Sequence, residues 1–275
     1  MTERSFLFVP GNRPDRFEKA WNAGADAVIL DLEDAVPPGK KGAARDAVAG
    51  WLSGSRPVFV RINATGTEEW EEDVRALDRP GVAGVLLPKA ERKEEIAALA
   101  DRLPERIRLL PIVESALGVW NVLELASAPR VYRLAFGSLD FQLDTGITGE
   151  DEELLYARSR LVLASRIAGN LPPVDGVTTS IDDPAALAAD VNRARRLGYG
   201  GKLCIHPRQV KAVNEGFQPT VGEVSWARGV VEACDARSGE AVKFEGGMVD
   251  RPVFERARRI LELASRGGED PAKRT

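Results

Sequence analysis

Short apolar runs recur along most of the chain, and Gly, Pro or charged residues flank them. Runs of this length that are rich in Val, Ile, Leu and Phe are typical of strands buried on both faces, as strands in a parallel sheet are. The pattern predicts eight strands, at residues 5–10, 27–32, 57–62, 84–89, 108–113, 133–137, 174–178 and 201–206.

The segments between these runs have helical spacing. Ile96, Leu99 and Leu103 form an apolar stripe, and Asp182 followed by Pro184 indicates the start of a helix. Successive strands begin about 22–41 residues apart, which is the length of a strand–helix–strand unit. Eight such units predict an α/β fold, the (β/α)8 TIM barrel. An open doubly wound sheet is the alternative, although no G-x-G-x-x-G motif follows the first strand.

The pattern changes after residue 215. We assign residues 1–215 to the barrel, 216–266 to a C-terminal helical extension and 267–275 to a disordered tail. The extension contains a predicted helix at about 223–236, a Gly-rich segment from Ser238 to Gly247 and an amphipathic helix from about Arg251. We expect this extension to act as a lid and to pack on a neighbouring subunit.

Composition restricts the chemistry that the chain can perform. It has one His and two Cys in 275 residues, which excludes a three-His zinc site and an H-E-x-x-H helix. Its 38 Lys and Arg against 42 Asp and Glu form no basic stripe, and no apolar run approaches the ~20 residues of a membrane span. We therefore expect a cytoplasmic protein with no nucleic-acid or membrane partner, whose chemistry uses carboxylates, Arg, Lys or backbone amides.

Polar residues recur where the predicted strands end, and this is where barrel enzymes have their active sites. They are Asp31, Glu33 and Asp34 after the second strand, Arg61 and Asn63 after the third, Lys89 after the fourth, Glu114 after the fifth, Asp140 after the sixth and His206 after the eighth. Five acidic side chains and two cations are thus expected to converge on one mouth. Oxygen ligands without spare His or Cys suit a hard cation such as Mg²⁺, or else Mn²⁺.

Each of these residues also has a simpler interpretation. Asp34 and Asp140 are alternatively helix N-caps, and Arg61 is alternatively half of a structural ion pair. Lys89 is either a Schiff-base lysine or, as we prefer, an electrostatic or structural cation. For His206 we prefer a loop or cap role, and for Cys204 that of an inert core thiol.

Eight short motifs in the sequence resemble, in their composition and order, those of a known family. They are RSFLFVPGNRPDRFEKA, DAVILDLEDAV, VRIN, LLPKAE, PIVESALGV, FGSLDF, CIHPRQV and GGMVDRPV. From about Arg4 to Arg258 the chain resembles the citrate lyase beta-subunit family of the aldolase/citrate lyase superfamily, which is related to malyl- and citramalyl-coenzyme A lyases. The resemblance implies a Mg²⁺-dependent carbon–carbon lyase. Such an enzyme would cleave a citryl-like acyl thioester into an oxoacid, oxaloacetate or a relative, and an acetyl-type thioester by retro-Claisen chemistry.

The resemblance also implies roles for single residues. Glu114 and Asp140 would be the metal ligands, with Glu114 also beside the substrate, and Arg61 would hold the substrate's carboxylate and carbonyl oxygens. Asp250 would be the acid–base residue, delivered by an adjacent subunit of a homo-oligomer, expected to be a trimer. We expect Glu33 and Asp34, and also Asp31, to orient metal-bound waters or Arg61.

Several alternatives stay open at this point. The acyl carrier is coenzyme A or an acyl carrier protein, and the chain is either a citrate lyase subunit or a stand-alone malyl- or citramalyl-coenzyme A lyase. A Schiff-base aldolase and a non-catalytic carboxylate-binding subunit are the other hypotheses. Four cations near the predicted mouth are candidates for contact with coenzyme A phosphates, although we prefer to interpret them as solvated surface charge. They are Arg13, Arg16, Lys40 and Lys41.

Overall fold

Eight parallel strands close into a barrel in which each strand pairs with the next along the chain and the eighth pairs with the first. A computed structural model describes residues 3–235, 242–245 and 247–267. The barrel strands are β1 (Ser5–Pro10), β2 (Ala27–Asp31), β3 (Val58–Arg61), β4 (Val82–Leu87), β5 (Arg108–Val113), β6 (Ala135–Phe136), β7 (Val174–Asp175) and β8 (Gly201–Cys204). The (β/α)8 prediction is confirmed, and the open doubly wound sheet is wrong.

Helices follow the strands as the apolar spacing predicts. They are α1 (Phe17–Trp21), α2 (Lys41–Trp51), α3 (Glu68–Ala76), α4 (Lys93–Arg102), α5 (Ala116–Trp120), α6 (Val122–Ala126), α7 (Ser138–Thr145), α8 (Leu155–Ile167), α9 (Pro184–Leu197) and α10 (Pro207–Gly216). Three short 3₁₀ helices span Pro14–Arg16, Pro38–Lys40 and Glu152–Leu154. The cap of α9 is Asp183 rather than Asp182, since the Asp183 carboxylate accepts the backbone N–H groups of Ala185 and Ala186.

Large apolar side chains fill the interior of the barrel. The buried set is Phe6, Ala27, Ile29, Phe59, Leu86, Leu110, Ile112, Ala135, Val174 and Leu203. Phe6 and Phe59 meet edge to face with their ring centroids 5.6 Å apart. Because side chains pack this interior, polar groups that leave the strand ends can converge only above it.

The chain divides between Asn214 and Glu215 into two compact units. The second unit contains α11 (Val221–Asp235), an antiparallel hairpin of β9 (Val242–Phe244) and β10 (Gly247–Val249), and α12 (Arg251–Gly267). Its core consists of Ala227, Val230, Cys234, Val249 and Ala257, which come from both helices and the hairpin.

Parts of the predicted extension and tail lie outside the described residues. They are residues 236–241 and 246, which include much of the Gly-rich segment, and residues 268–275 of the tail. Gly267, which we assigned to the disordered tail, instead ends α12. Within the described ranges, no helix is both long and apolar enough to cross a membrane.

Candidate active site at the carboxyl end of the barrel

A cavity of about 230 Å³ lies above the packed interior, at the carboxyl ends of the strands. Its polar lining residues are Asp31, Asp34, Arg61, Glu114, Ser138 and Asp140. Its apolar wall includes Phe8, Ile112, Phe136, Val177, Leu203 and Ile205. The structure thus brings together side chains from the ends of four different strands, as we expected from their positions in the sequence.

Arg61 is held in place by Asp31. The two residues are register partners at the ends of β2 and β3. Arg61 Nε donates to Asp31 Oδ1 at 2.7 Å and Nη2 donates to Oδ2 at 2.6 Å, so the pair is bidentate. Asp31 also accepts the backbone N–H groups of Glu33 and Ala35 and is fully buried. Both carboxylate oxygens are therefore already used, and Asp31 orients Arg61 rather than binding a metal.

The remaining amino group of the Arg61 guanidinium, Nη1, lies next to Glu33. Nη1 lies 3.0 Å from Glu33 Oε2 and 3.9 Å from Asp34 Oδ2, and the guanidinium carbon lies 4.7 Å from the centre of the Phe8 ring. Burial alone lowers the pKa of Arg61, but the hydrogen bonds and charge of Asp31, with the charges of Glu33 and Asp34, raise it above its usual value. Arg61 is therefore a permanent cation, fixed in orientation and open to the cavity.

Glu33 and Asp34 occupy different environments after β2. Glu33 is buried, and its Oε1 accepts from Lys89 Nζ at 3.1 Å. Burial raises the pKa of Glu33 and the Asp34 charge adds to this, while Arg61 and Lys89 act in the opposite direction. Asp34 lines the cavity with its side chain 55% exposed, so it can contact water or a ligand. No helix begins at Asp34, so its N-cap interpretation is wrong.

Lys89 connects Glu33 with Glu114. It has a left-handed backbone, with φ at 51°, and in this conformation its N–H donates to Glu114 Oε1 at 2.7 Å. Partial burial lowers the pKa of Lys89, but the charge and hydrogen bond of Glu33 raise it by a larger amount. The pKa of Lys89 therefore lies above its usual value. A Schiff-base lysine needs a neutral amine. The structure therefore favours the electrostatic interpretation of Lys89.

Glu114 follows β5 and lies in a space that Gly137 leaves free. A Cβ atom on Gly137 would lie 2.3 Å from Glu114 Oε2 and 2.5 Å from Glu114 Cβ. Burial raises the pKa of Glu114 to about 8; the Lys89 N–H opposes this, and the charges of Asp140 and Glu33 add to it. Glu114 is thus a buried carboxyl group whose ionised form needs a nearby cation.

Asp140 lies in the first turn of α7, directly after β6, and it lines the same cavity as Glu114. The N-cap of α7 is Gly137, so the N-cap interpretation of Asp140 is wrong. Among the described residues, no three His, Cys, Asp or Glu side chains form a group able to hold a metal ion.

This pair of carboxylates fits a Mg²⁺ ion. Glu114 and Asp140 are hard oxygen donors, and a divalent cation between them would relieve their mutual repulsion. Two protein ligands leave most of an octahedral shell for water and for oxygens of a substrate, which is how Mg²⁺ is usually held in enzymes.

Asp250 belongs to the second unit, where it directly precedes α12. It is exposed, and its Oδ1 accepts the backbone N–H of Val253 at 3.2 Å. Asp250 is thus the N-cap of α12, whatever else it does.

The other predicted residues have structural roles. His206 precedes α10, where its Nδ1 accepts the Arg208 N–H, which matches the loop or cap interpretation. Cys204 is a fully buried free thiol. Asn63 does not line the cavity, because its side chain turns to Leu32 and Asp73.

Sequence reasoning predicted one feature of the site in part and missed another. We expected Asp31 to orient metal-bound waters or Arg61, but not the bidentate contact, which both residues' positions at the last residues of neighbouring strands could have indicated. The other is the space above Gly137, for which the Gly that precedes Ser138 and Asp140 was a possible signal.

Comparison with known proteins extends these observations. The model of the HpcH/HpaI aldolase/citrate lyase family matches residues 4–207. A Deinococcus radiodurans protein named citrate lyase subunit beta-like protein is 41% identical, over 94% of this chain and 96% of the relative. The human mitochondrial citramalyl-CoA lyase is 32% identical, over 95% of this chain and 85% of the relative.

A solved structure is similar over almost the full chain. It is the CitE protein of Mycobacterium tuberculosis, crystallised with magnesium, acetoacetate and coenzyme A. It superposes with a TM-score of 0.87 at 35% identity and covers 96% of this chain and 98% of its own.

Proposed function

Because the chain belongs to the HpcH/HpaI aldolase/citrate lyase family, we propose that it is a Mg²⁺-dependent carbon–carbon lyase. Membership of this family confirms the resemblance that the sequence motifs indicated. The observation that carries the proposal is the cavity, in which a fixed arginine, Arg61, lies among the same wall residues as two carboxylates, Glu114 and Asp140. The similar structure that holds magnesium, acetoacetate and coenzyme A supports the choice of metal and of ligand class.

The substrate that suits these residues is a citryl-like acyl thioester. In its retro-Claisen cleavage, the bond between the hydroxyl-bearing carbon and the thioester's α-carbon breaks. The hydroxyl group gives its proton to water and becomes the ketone of the oxoacid, while the electron pair of the broken bond forms the thioester enolate. A proton must then be added at the enolate carbon, which gives the acetyl-type thioester.

Each residue of the cavity has a part in this reaction. Arg61 presents a planar fork that suits a carboxylate and the adjacent oxygen of an oxoacid. Glu114 and Asp140 would hold Mg²⁺, which when bound supplies Lewis-acid stabilisation of the developing negative charge on oxygen. Glu33 and Asp31 keep Arg61 in position, and exposed Asp34 is available to metal-bound water.

For the proton donor we propose Asp250, delivered by the extension (residues 216–266) of a neighbouring subunit in a homotrimer. The motif MVDRP, which resembles the family's motif with the acid–base residue, supports this assignment. A carboxylic acid can deliver the proton if a closed, desolvated site raises its pKa towards neutrality.

Exposed apolar side chains on the barrel support a homo-oligomer. They lie on α5 and α8 and on α7 between them, with exposed fractions of 72% for Trp120, 83% for Leu143, 63% for Tyr156, 60% for Leu163 and 69% for Ile167. Helix α5 contacts both α7 and α8, and exposed apolar groups on neighbouring helices are typical of protein–protein interfaces.

The specific substrate divides into two candidates. A citryl thioester is supported by the D. radiodurans relative, and a malyl- or citramalyl-coenzyme A by the human relative. The presence of the extension that carries Asp250 favours a stand-alone enzyme, since such an enzyme must supply its own proton donor. Coenzyme A is the favoured carrier because the similar solved structure holds it.

The decisive experiment offers citryl-, malyl- and citramalyl-coenzyme A to the purified protein with Mg²⁺ and measures the released oxoacid. We expect release from at least one thioester and its loss in chelator. Binding of an oxoacid without cleavage of any thioester would indicate a carboxylate-binding subunit instead. Borohydride trapping of a ketoacid on Lys89 would indicate the Schiff-base aldolase.

A further inference from the structure

Two loops meet beside Arg61, the one after β2 (residues 32–37) and the one after β3 (residues 62–67). Lys41, the first residue of α2, bridges them. Its Nζ donates to Leu32 O and Glu33 O, each at 2.8 Å, and to Asn63 Oδ1 at 2.6 Å. All three ammonium hydrogens are therefore used, and each acceptor belongs to one of the two loops.

The bridge continues into the helices behind it. The Asn63 side-chain amide donates to Leu32 O at 3.0 Å and to Asp73 Oδ2 at 2.6 Å. Asp73, buried on α3, also accepts from Arg45 Nε on α2 at 2.9 Å. Lys41, Asn63, Asp73 and Arg45 thus join α2 and α3 to both loops in one hydrogen-bond network.

We propose that Lys41 is a positioning residue for the lyase reaction, acting through Glu33 and Arg61. This proposal rests on the proposed function, because it assumes that Arg61 binds the oxoacid part of the substrate. The three hydrogen bonds of Lys41 Nζ contradict our interpretation of Lys41 as solvated surface charge. The neighbouring Lys40 is exposed and fits the surface interpretation.

An ammonium group is the chemistry that this position needs. Two carbonyl oxygens and one amide oxygen converge on it, and a compact group with three donors can satisfy all three at once. A planar guanidinium cannot match this arrangement. Without Lys41 the Glu33 backbone carbonyl keeps only the Val36 N–H as a donor, and the Glu33 carboxylate is held less firmly beside Arg61 Nη1.

The consequence should fall mainly on one half of the site. Glu33 and Arg61 belong to β2 and β3 and the loops that follow them, whereas Glu114 and Asp140 follow β5 and β6 and are connected to Glu33 only through Lys89. Loss of Lys41 should therefore weaken binding of the oxoacid part much more than it weakens Mg²⁺ binding. A general loss of structure would weaken both alike.

The test compares Lys41→Met with two matched controls. Lys40→Met removes the same charge from the adjacent residue, and Val48→Ala destabilises α2 by opening a cavity at a buried position away from the network. Calorimetry measures the binding of Mg²⁺, and then of oxalate, a stable mimic of the oxoacid end, in the presence of Mg²⁺. We expect the oxalate Kd to rise about tenfold or more in Lys41→Met, with a much smaller rise in the Mg²⁺ Kd. Both controls should keep the wild-type oxalate Kd.

Chemical rescue distinguishes the ammonium group from mere packing. Lys41→Cys treated with 2-bromoethylamine regains an ammonium at nearly the original length. The native thiols Cys204 and Cys234 are buried, and burial raises the pKa of Cys204 to about 12, so the new thiol is the reactive one. We expect modification to restore oxalate affinity. If Lys41→Met does not fold, Lys41→Gln, which keeps two donors, replaces it with a smaller expected loss.

Hydrogen exchange reports on the two loops without any ligand. Backbone amides of residues 32–36 should exchange faster in Lys41→Met and normally in Lys40→Met. Unchanged exchange, or an unchanged oxalate Kd, would overturn the positioning proposal and leave the lyase proposal standing. If wild-type protein neither binds oxalate with Mg²⁺ nor cleaves a thioester, the lyase proposal fails. The role of Lys41 in the reaction then fails too, even if faster hydrogen exchange in Lys41→Met shows that Lys41 holds the two loops together.

Discussion

At the scale of single residues, the position of the Glu114 carboxylate depends on the missing side chain of Gly137. Gly137→Ala would place a methyl group 2.3 Å from Glu114 Oε2, and the backbone φ of −92° at this position already suits Ala. The new methyl group would also lie 2.5 Å from Glu114 Cβ, so the clash must shift the backbone as well as the Glu114 carboxylate. We expect Mg²⁺ affinity, measured by calorimetry, to fall about tenfold or more, together with a lower Tm. Gly39→Ala, whose new methyl group has no neighbour within 4 Å, is the control.

Equal Mg²⁺ affinity in Gly137→Ala and in wild-type protein would show that Glu114 is not a metal ligand.

Arg61 provides the second test at this scale. Arg61→Lys keeps the charge but cannot reproduce the two parallel hydrogen bonds to Asp31 and the contact with Glu33. It also removes an arginine donor from each carboxylate oxygen of the fully buried Asp31, which leaves them the backbone N–H groups of Glu33 and Ala35. We expect kcat/KM for the thioester to fall about a hundredfold or more, chiefly through binding of the oxoacid part.

Arg56→Lys, an exposed arginine paired with Glu18, is the matched control and should keep wild-type kinetics. A wild-type KM in Arg61→Lys would contradict the assignment of Arg61 to substrate binding.

At the scale of elements, Asp250 has a structural duty that must be separated from its proposed chemistry. Its carboxylate caps α12 by accepting the Val253 N–H. Asn and Ser are N-caps of similar quality, whereas Ala costs about 1 kcal/mol of stability. We therefore expect Asp250→Asn and Asp250→Ser to keep the wild-type Tm. Their kcat should fall strongly, since neither side chain can donate a proton from a carboxyl group.

Thermal unfolding and steady-state kinetics on the Asn, Ser and Ala variants measure the two effects independently. If activity instead follows Tm across the three variants, Asp250 is a cap and not the acid–base residue.

The same scale shows what the sequence could predict. The barrel strands were predictable because buried parallel strands are continuous apolar runs, and the run at 5–10 coincides with β1. The runs at 133–137 and 174–178 shorten to the two-residue strands β6 and β7, since an apolar run does not determine how many of its residues pair. The location of the site at the strand ends was predictable for a related reason, because parallel strands all end on one side of the barrel.

Contacts between loops could not be predicted in this way. Lys40 and Lys41 are adjacent and chemically identical in the sequence, yet one is exposed and the other bridges two loops. Which of them does so depends on where α2 begins, and the path of the chain after Pro38 decides this. For the Asp31–Arg61 pair the strand-end positions indicated that the residues are close, but the bidentate contact depends on the register between β2 and β3.

At the scale of the whole molecule, the division at Asn214 and Glu215 places the proposed proton donor in a different unit from Arg61. A donor on a separate unit can act within its own chain or in the site of a neighbouring subunit. Exposed apolar side chains on the barrel helices support an assembly in which the second arrangement is available.

Complementation between two inactive variants decides between these arrangements. Arg61→Lys and Asp250→Asn chains are co-expressed in equal amounts, and all the oligomers that they form are purified together. If Asp250 acts in a neighbouring subunit, a site that combines Arg61 of one chain with Asp250 of the next is intact, and random assembly makes about a quarter of all sites so. We therefore expect thioester cleavage to recover to about a quarter of the wild-type rate. Each homo-oligomer alone is the control. If Asp250 acts within its own chain, every site keeps one defect and no mixture regains activity.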